Sequence, residues 1–144
     1  MAKLLNRVFK ITSNVINLDE SGQADGAVEK DEFSVAGTFK TEDGITTLSY
    51  KEVREGSSVS CEIRAKENEV KVMRRGDVIC DLLFSLTKTH KSIYQVPPFS
   101  FDMEISTLRI ENNLNTDGGT LALFYNMQVG GAQKRCRMKI TVTN

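Results

Sequence analysis

Arg74 is the residue whose type and position most plainly invite chemistry. Val70, Val72 and Arg74 share parity in an alternating run, so if the valines face a core the guanidinium faces it too. A buried, unpaired charge is costly, so an inward arginine calls for an acid, a ligand or water. Inside a hollow barrel its planar fork would suit a carboxylate or a phosphate. The other reading puts Arg74 at a strand end, snorkelling to solvent or paired with a nearby acid such as Asp77. Tyr94, Thr107 and Tyr125 sit in or near apolar faces and each carries one hydroxyl, as the polar anchors of a mainly apolar pocket do. Alternatively, they stabilise a core through local backbone partners.

Other chemistry-bearing residues point less far. His90 lies among Thr87-Lys88-Thr89 and Lys91-Ser92, which reads as an exposed polar loop with no orienting acid and no nucleophile elbow. Cys61, Cys80 and Cys136 are far apart, odd in number, and each falls on the apolar parity of its run; they read as free thiols acting as small hydrophobes. Zinc spacing is absent, and no cofactor is expected. Asp102 and Glu104 alternate with Phe101, Met103 and Ile105, so they belong on a solvated face rather than in a catalytic pair. Arg135, Arg137 and Lys139 form an outward basic stripe. With no outward aromatics interleaved, the stripe reads as a solvated, ion-paired face rather than a nucleic-acid track.

The elements that must position these residues are strands. Val78, Cys80, Leu82, Phe84 and Leu86 share one face of a period-two run, and similar runs recur from Arg7 to Val142. The first run, Arg7 to Leu18, changes parity near Ser13-Asn14, which predicts a bulge there; Leu108 and Ile110 break parity after Thr107 and predict a second bend. Residues 19–31 form a polar, acidic stretch expected to be a flexible loop. Asp43-Gly44, Gly56, Gly76-Asp77 and Gly130-Gly131 supply short hairpin turns. Thr87 to Pro98 reads as less regular, and Pro97-Pro98 cannot lie in a central strand. A short helical turn at Lys3 to Arg7 is the one helical element predicted. The pattern implies an all-β, single-domain chain over residues 1–144. Its antiparallel meander of about 8–10 strands closes into an up-and-down barrel, because bends favour closure over a flat sandwich.

Ile79 and Leu83 oppose the Val78–Leu86 face, and Phe124 opposes Leu123 and Tyr125, so these strands are apolar on both sides. An outer apolar patch formed by these three would need covering, by Leu4 and Leu5 or by a second copy of the chain. The totals agree with one soluble domain: 144 residues, 40% hydrophobic and 26% charged, with nineteen basic and nineteen acidic side chains. A balanced charge gives no global attraction to nucleic acid or to a membrane. Met1 to Arg7 has no apolar stretch behind it, Ala2 does not suit myristoylation, and Val142–Asn144 carries no prenylation box, so the expected location is cytoplasmic.

Several short elements carry a resemblance: Gly37 with Tyr50-Lys51-Glu52, Val72-Met73-Arg74-Arg75-Gly76, Leu82-Leu83-Phe84, Tyr94-Gln95-Val96-Pro97, Met103–Thr107, and Gly119 leading to Leu123-Phe124-Tyr125. In their order and spacing the chain resembles the YwiB-like family, small bacterial proteins of unknown function with a calycin-like, lipocalin-type barrel. Where that family's pattern leads one to expect a glycine turn after the tyrosine-proline element, this chain has Pro98-Phe99-Ser100. The resemblance implies a fold and no reaction. The leading expectation is a non-enzymatic barrel holding a small, partly apolar or anionic ligand, with Arg74, Tyr94, Thr107 and Tyr125 as its contacts. The alternative is an interaction module or homodimer working through Ile79, Leu83 and Phe124 or through the barrel rim.

Overall fold

The alternation becomes ten strands in a computed structural model, which describes residues 3–144. Met1 and Ala2, on which the myristoylation expectation rests, lie outside the described residues. The strands are β1 (Leu5–Leu18), β2 (Glu29–Glu42), β3 (Ile45–Arg54), β4 (Ser57–Ala65), β5 (Glu69–Gly76), β6 (Cys80–Ser85), β7 (Thr89–Val96), β8 (Phe99–Leu114), β9 (Gly119–Val129) and β10 (Ala132–Thr143). They form one sheet in the order β6-β5-β4-β3-β2-β1-β10-β9-β8-β7. Every neighbour is consecutive in the chain except β1 and β10, whose antiparallel ladder joins the two ends of the meander. The result is a nearly closed antiparallel barrel.

Its seam lies between β6 and β7. Ile79 and Gln95 pair there through their backbones, at 2.9 and 3.0 Å, and an isolated parallel bridge joins Leu86, just past β6, to Thr107 of β8. Side chains do the rest. Ser92 Oγ donates to the Asp81 carbonyl at 2.8 Å, and the Ser85 amide donates to Thr107 Oγ1 at 3.1 Å.

The turns form where the sequence places them. Asp43 and Gly44 both take positive φ, 53° and 78°, as a two-residue hairpin matched to strand twist requires. The bend after Thr107 is a register shift against β9 that pushes Leu108 outward. The bulge expected at Ser13-Asn14 is absent: β1 keeps one register with β10 from Val8 to Leu18. Val15 simply continues the Phe9–Ile11 face, while Ile16 turns outward. The predicted helical turn at Lys3 to Arg7 is also absent, because Leu5 pairs with Phe39 and the chain enters β1 there. Thr87 to Pro98, expected to be irregular, forms β7, since its backbone is held along the whole of Thr89–Val96 by β8. Pro97-Pro98 makes the turn between them.

Within the stretch 19–31, the Asp19 carboxylate accepts from the Ser21 amide and hydroxyl and from the Gln23 amide at 2.6–3.0 Å, and β2 begins at Glu29.

The inward faces meet in a packed core of Phe9, Phe39, Leu48, Ile63, Phe84, Leu121, Leu123 and Ile140, all buried. Each such burial contributes about 1.5–3 kcal/mol, so this apolar filling, and not any single ion pair, carries the stability. Leu4, expected to cover an outer patch, is 62% exposed, and Leu5 packs against the core from inside.

One glycine makes the curvature possible. A Cβ on Gly37 would collide with the Ser49 carbonyl oxygen and stand 2.5 Å from Phe9 Cε2. The missing side chain lets the Phe9 and Tyr50 rings meet edge to face, 5.9 Å between centroids. Gly37→Ala is therefore expected to cost about 1–3 kcal/mol in urea unfolding. A change within about 0.5 kcal/mol would show that the site has room.

Candidate functional site

Tyr50, Cys61, Arg74 and Cys80 stand opposite one another on β3, β4, β5 and β6, in one row of inward side chains. The row lies just above the packed core, toward the end of the barrel closed by the Glu55-Gly56 and Gly76–Ile79 turns. Arg74 thus points inward, as its parity predicts. Its charge is met by Glu52, which takes a hydrogen bond from Nη2 at 2.9 Å. The expected partner Asp77 is occupied elsewhere, accepting from the Ser58 amide at 2.7 Å.

Glu52 was not singled out by sequence reading. Yet Leu48, Tyr50, Glu52 and Arg54 share parity on β3, and the reasoning that turns Arg74 inward turns Glu52 inward as well. Glu52 also approaches Arg54 at 3.5 Å, and Arg54 grips Asp31 with two hydrogen bonds of 2.6 and 2.7 Å while stacking on Phe33. The chain of alternating charges Asp31–Arg54–Glu52–Arg74 therefore runs across β2, β3 and β5 at the mouth.

The electrostatics follow from this layout. The Arg54 hydrogen bonds hold the Asp31 carboxyl below its usual value. Burial works against the Arg74 charge, but Cys61 and Glu52 beside it outweigh that and hold its pKa up. Both side chains of the inner pair are largely shielded, 25% exposed for Arg74 and 17% for Glu52. Of the guanidinium donors of Arg74, only Nη2 meets an oxygen acceptor among the described residues. Arg74 borders a cleft of about 300 Å³ that is also lined by Glu52, Arg54, Glu55, Ser57, Val59, Val78 and Tyr94.

The four expected ligand contacts divide accordingly. Arg74 and Tyr94 come together at the mouth. Tyr125 lies deeper, its ring 4.8 Å from Phe84 and its hydroxyl beside Cys136; burial, with Cys136 adding to it, pushes its pKa upward. Thr107 is buried at the seam, where its hydroxyl accepts the Ser85 amide.

His90 is not in an exposed loop. It points inward from β7 opposite Ile105, and its Nε2 is buried without a hydrogen-bond partner. The expected outer patch is not continuous. Ile79 lies against Gln95 at the seam, Leu83 is on β6, and Phe124 is on β9, beyond β7 and β8. A larger trough along the seam, about 550 Å³, has Arg75 already paired with Asp81 at 2.9 Å. Among the described residues no group of three or more His, Cys, Asp or Glu side chains is placed to hold a metal ion.

Comparison with known proteins agrees with the fold and stays silent on chemistry. The model of a family described as a domain of unknown function (DUF1934) matches residues 16–140. The chain belongs to that family. It is similar to the uncharacterized beta-barrel protein YwiB of Bacillus subtilis (strain 168), with 28% identity over 119 residues, or 83% of each chain. The crystal structure of the ywiB protein from Bacillus subtilis superposes with a TM-score of 0.76 at 22% identity, covering 96% of this chain and 94% of that one, a likeness of fold.

The inward thiols are set up to be inert. Burial raises the Cys80 pKa and, for Cys136, pushes it up to about 11; Cys61 is buried as well. In the native protein at about pH 8, a disulfide reagent such as Ellman's should label none of the three until the chain is unfolded. Rapid labelling of one thiol in the folded state would contradict this placement.

Proposed function

We propose that this DUF1934 member is a non-enzymatic binding protein that holds a small, partly apolar ligand at the mouth of its barrel. The observation that carries the reading is Arg74: an inward, shielded guanidinium with unspent donors, at the edge of a cleft whose other walls include Val59, Val78 and Tyr94. The cleft is at the small end of the range for ligand sites, and its lining sets Val59, Val78 and Tyr94 beside the charged Glu52, Arg54, Glu55 and Arg74.

The core below is filled by phenylalanine, leucine and isoleucine side chains, so the ligand sits in the mouth and not deep in the barrel. Glu52 and Glu55 balance Arg54 and Arg74 around the cleft, which favours a ligand with one carboxylate, or a neutral acceptor, over a multiply charged phosphate. The guanidinium would bind that acceptor with its free edge while Glu52 keeps hold of Nη2. The scarcity of oriented acid-base partners near the cleft supports binding over catalysis.

Octanoate is a direct probe, having one carboxylate and a short apolar tail. At about a hundredfold excess over its dissociation constant it should stabilise the fold by about 2.7 kcal/mol and raise the melting temperature by several degrees. Arg74→Met should abolish that shift while Arg75→Met, on the opposite face of β5, leaves it intact. The Arg74 variant is expected to fold, because Glu52 retains Arg54. Equal stabilisation of both variants would remove Arg74 from the site, and no stabilisation of the unsubstituted protein would remove the carboxylate reading.

A further inference from the structure

The outer wall of the barrel carries another cleft, which shares no lining residue with the mouth and does not depend on the reading above. About 220 Å³ in volume, it is walled by Ile16, Val28, Leu108 and Phe124, with Arg135 and Arg137 at its rim. Its apolar walls come from separate parts of the chain: β1, the segment before β2, the β8 bulge and β9. Leu108 reaches it only because the register shift between Thr107 and Arg109 turns that side chain out, where it is 53% exposed. Ile16 reaches it because β1 runs without a bulge. An apolar hollow assembled in this way, on the solvent side of a sheet, is more than scattered surface hydrophobicity.

The surplus charge around it is positive. Arg137, Phe124 and Arg109 stand side by side on β10, β9 and β8, and their guanidiniums lie 5.2 and 5.6 Å from the ring centroid. Among the described residues Arg135 bonds only the Asn126 side chain, at 3.3 Å, and Lys139 continues the stripe along β10. Arg109 is paired with Glu111. Arg135, Arg137 and Lys139 have no acid within ion-pair distance among the described residues. In a chain whose formal net charge is zero, this is a local surplus of positive charge around an apolar hollow.

We infer that this cleft docks an acidic segment of a partner protein, anchored by one apolar side chain. Charge complementarity fixes the sign of the partner, and the hollow fixes the anchor. Arginine stacked on an aromatic ring is held in place by the ring and still presents its N–H edge to a carboxylate. The same stacking disfavours single-stranded nucleic acid, because guanidiniums from both neighbouring strands already crowd the Phe124 ring on which a base would stack. Phe124, expected at an interface with Ile79 and Leu83, is grouped in this proposal with Ile16 and Leu108 instead.

A random dodecapeptide library displayed on phage, selected on the full chain, tests this. Enriched peptides should carry acidic residues around one or two apolar ones. A labelled enriched peptide should bind more weakly as salt rises. Arg137→Glu and, separately, Leu108→Asp should weaken it at least tenfold, with circular dichroism unchanged. Both positions are on the surface, and Leu108→Ser provides a second, milder variant. Arg74→Met should bind the peptide normally, which separates this site from the mouth. Enrichment of basic or unrelated peptides would overturn the proposal, as would binding indifferent to these substitutions. Tighter binding of a thymidine oligonucleotide would assign the stripe to nucleic acid instead. A dimer in light scattering that Leu108→Asp dissociates would assign the cleft to a second copy of the chain.

Discussion

A sheet has two edges, and everything else in this molecule depends on how the chain hides them. The β1–β10 ladder joins the two ends of the meander over eleven residue pairs, which leaves the only remaining edges at β6 and β7. There the backbone contributes two isolated bridges, Ile79 with Gln95 and Leu86 with Thr107, and Thr107 and Ser92 complete the seam with side-chain hydrogen bonds. Near-closure removes the exposed edges that would invite aggregation. It also fixes which parity of each strand points in, so it decides which polar side chains are forced off the water.

Arg74 is the residue most affected by that decision. Being inward, it needs a partner, and the neighbouring rows provide Glu52 on β3 and the Cys61 and Cys80 thiols on either side. A shielded pair of this kind is weak evidence for stability, since apolar residues of similar shape would serve as well or better. Its place at the rim of a cleft is what the proposed binding role rests on. The outer cleft arises from the same geometry: the bulge that helps β8 curve is the one that delivers Leu108 to the outside.

Much of this was legible in the sequence, and the parts that were not share a cause. Turn chemistry at Asp43-Gly44 and Gly130-Gly131, the inward face of Val78 to Phe84, and the bend after Thr107 are local signals, and local signals are what a sequence displays. The strand from Thr89 to Val96 was missed because His90, Ser92 and Tyr94 contrast too little with Lys91 and Gln95 to show a period of two; pairing with β8 makes it a strand. The parity change at Ser13-Asn14 looked like a bulge because an outward Ile16 was not anticipated. The Glu52–Arg74 pair spans twenty-two positions and a whole intervening strand, so only the sheet order reveals it. Sheet order likewise separates Ile79 and Leu83 from Phe124, residues that share a pattern without sharing a surface.

The central claim is that the mouth of this barrel is built around Arg74 to hold a small molecule. Native mass spectrometry of the protein purified from its own host, without unfolding, tests that claim most directly. The account predicts a folded species heavier than the bare chain by one small organic molecule, and loss of that added mass in Arg74→Met. A bare chain mass for the unsubstituted protein, or an added mass that Arg74→Met retains, would contradict it.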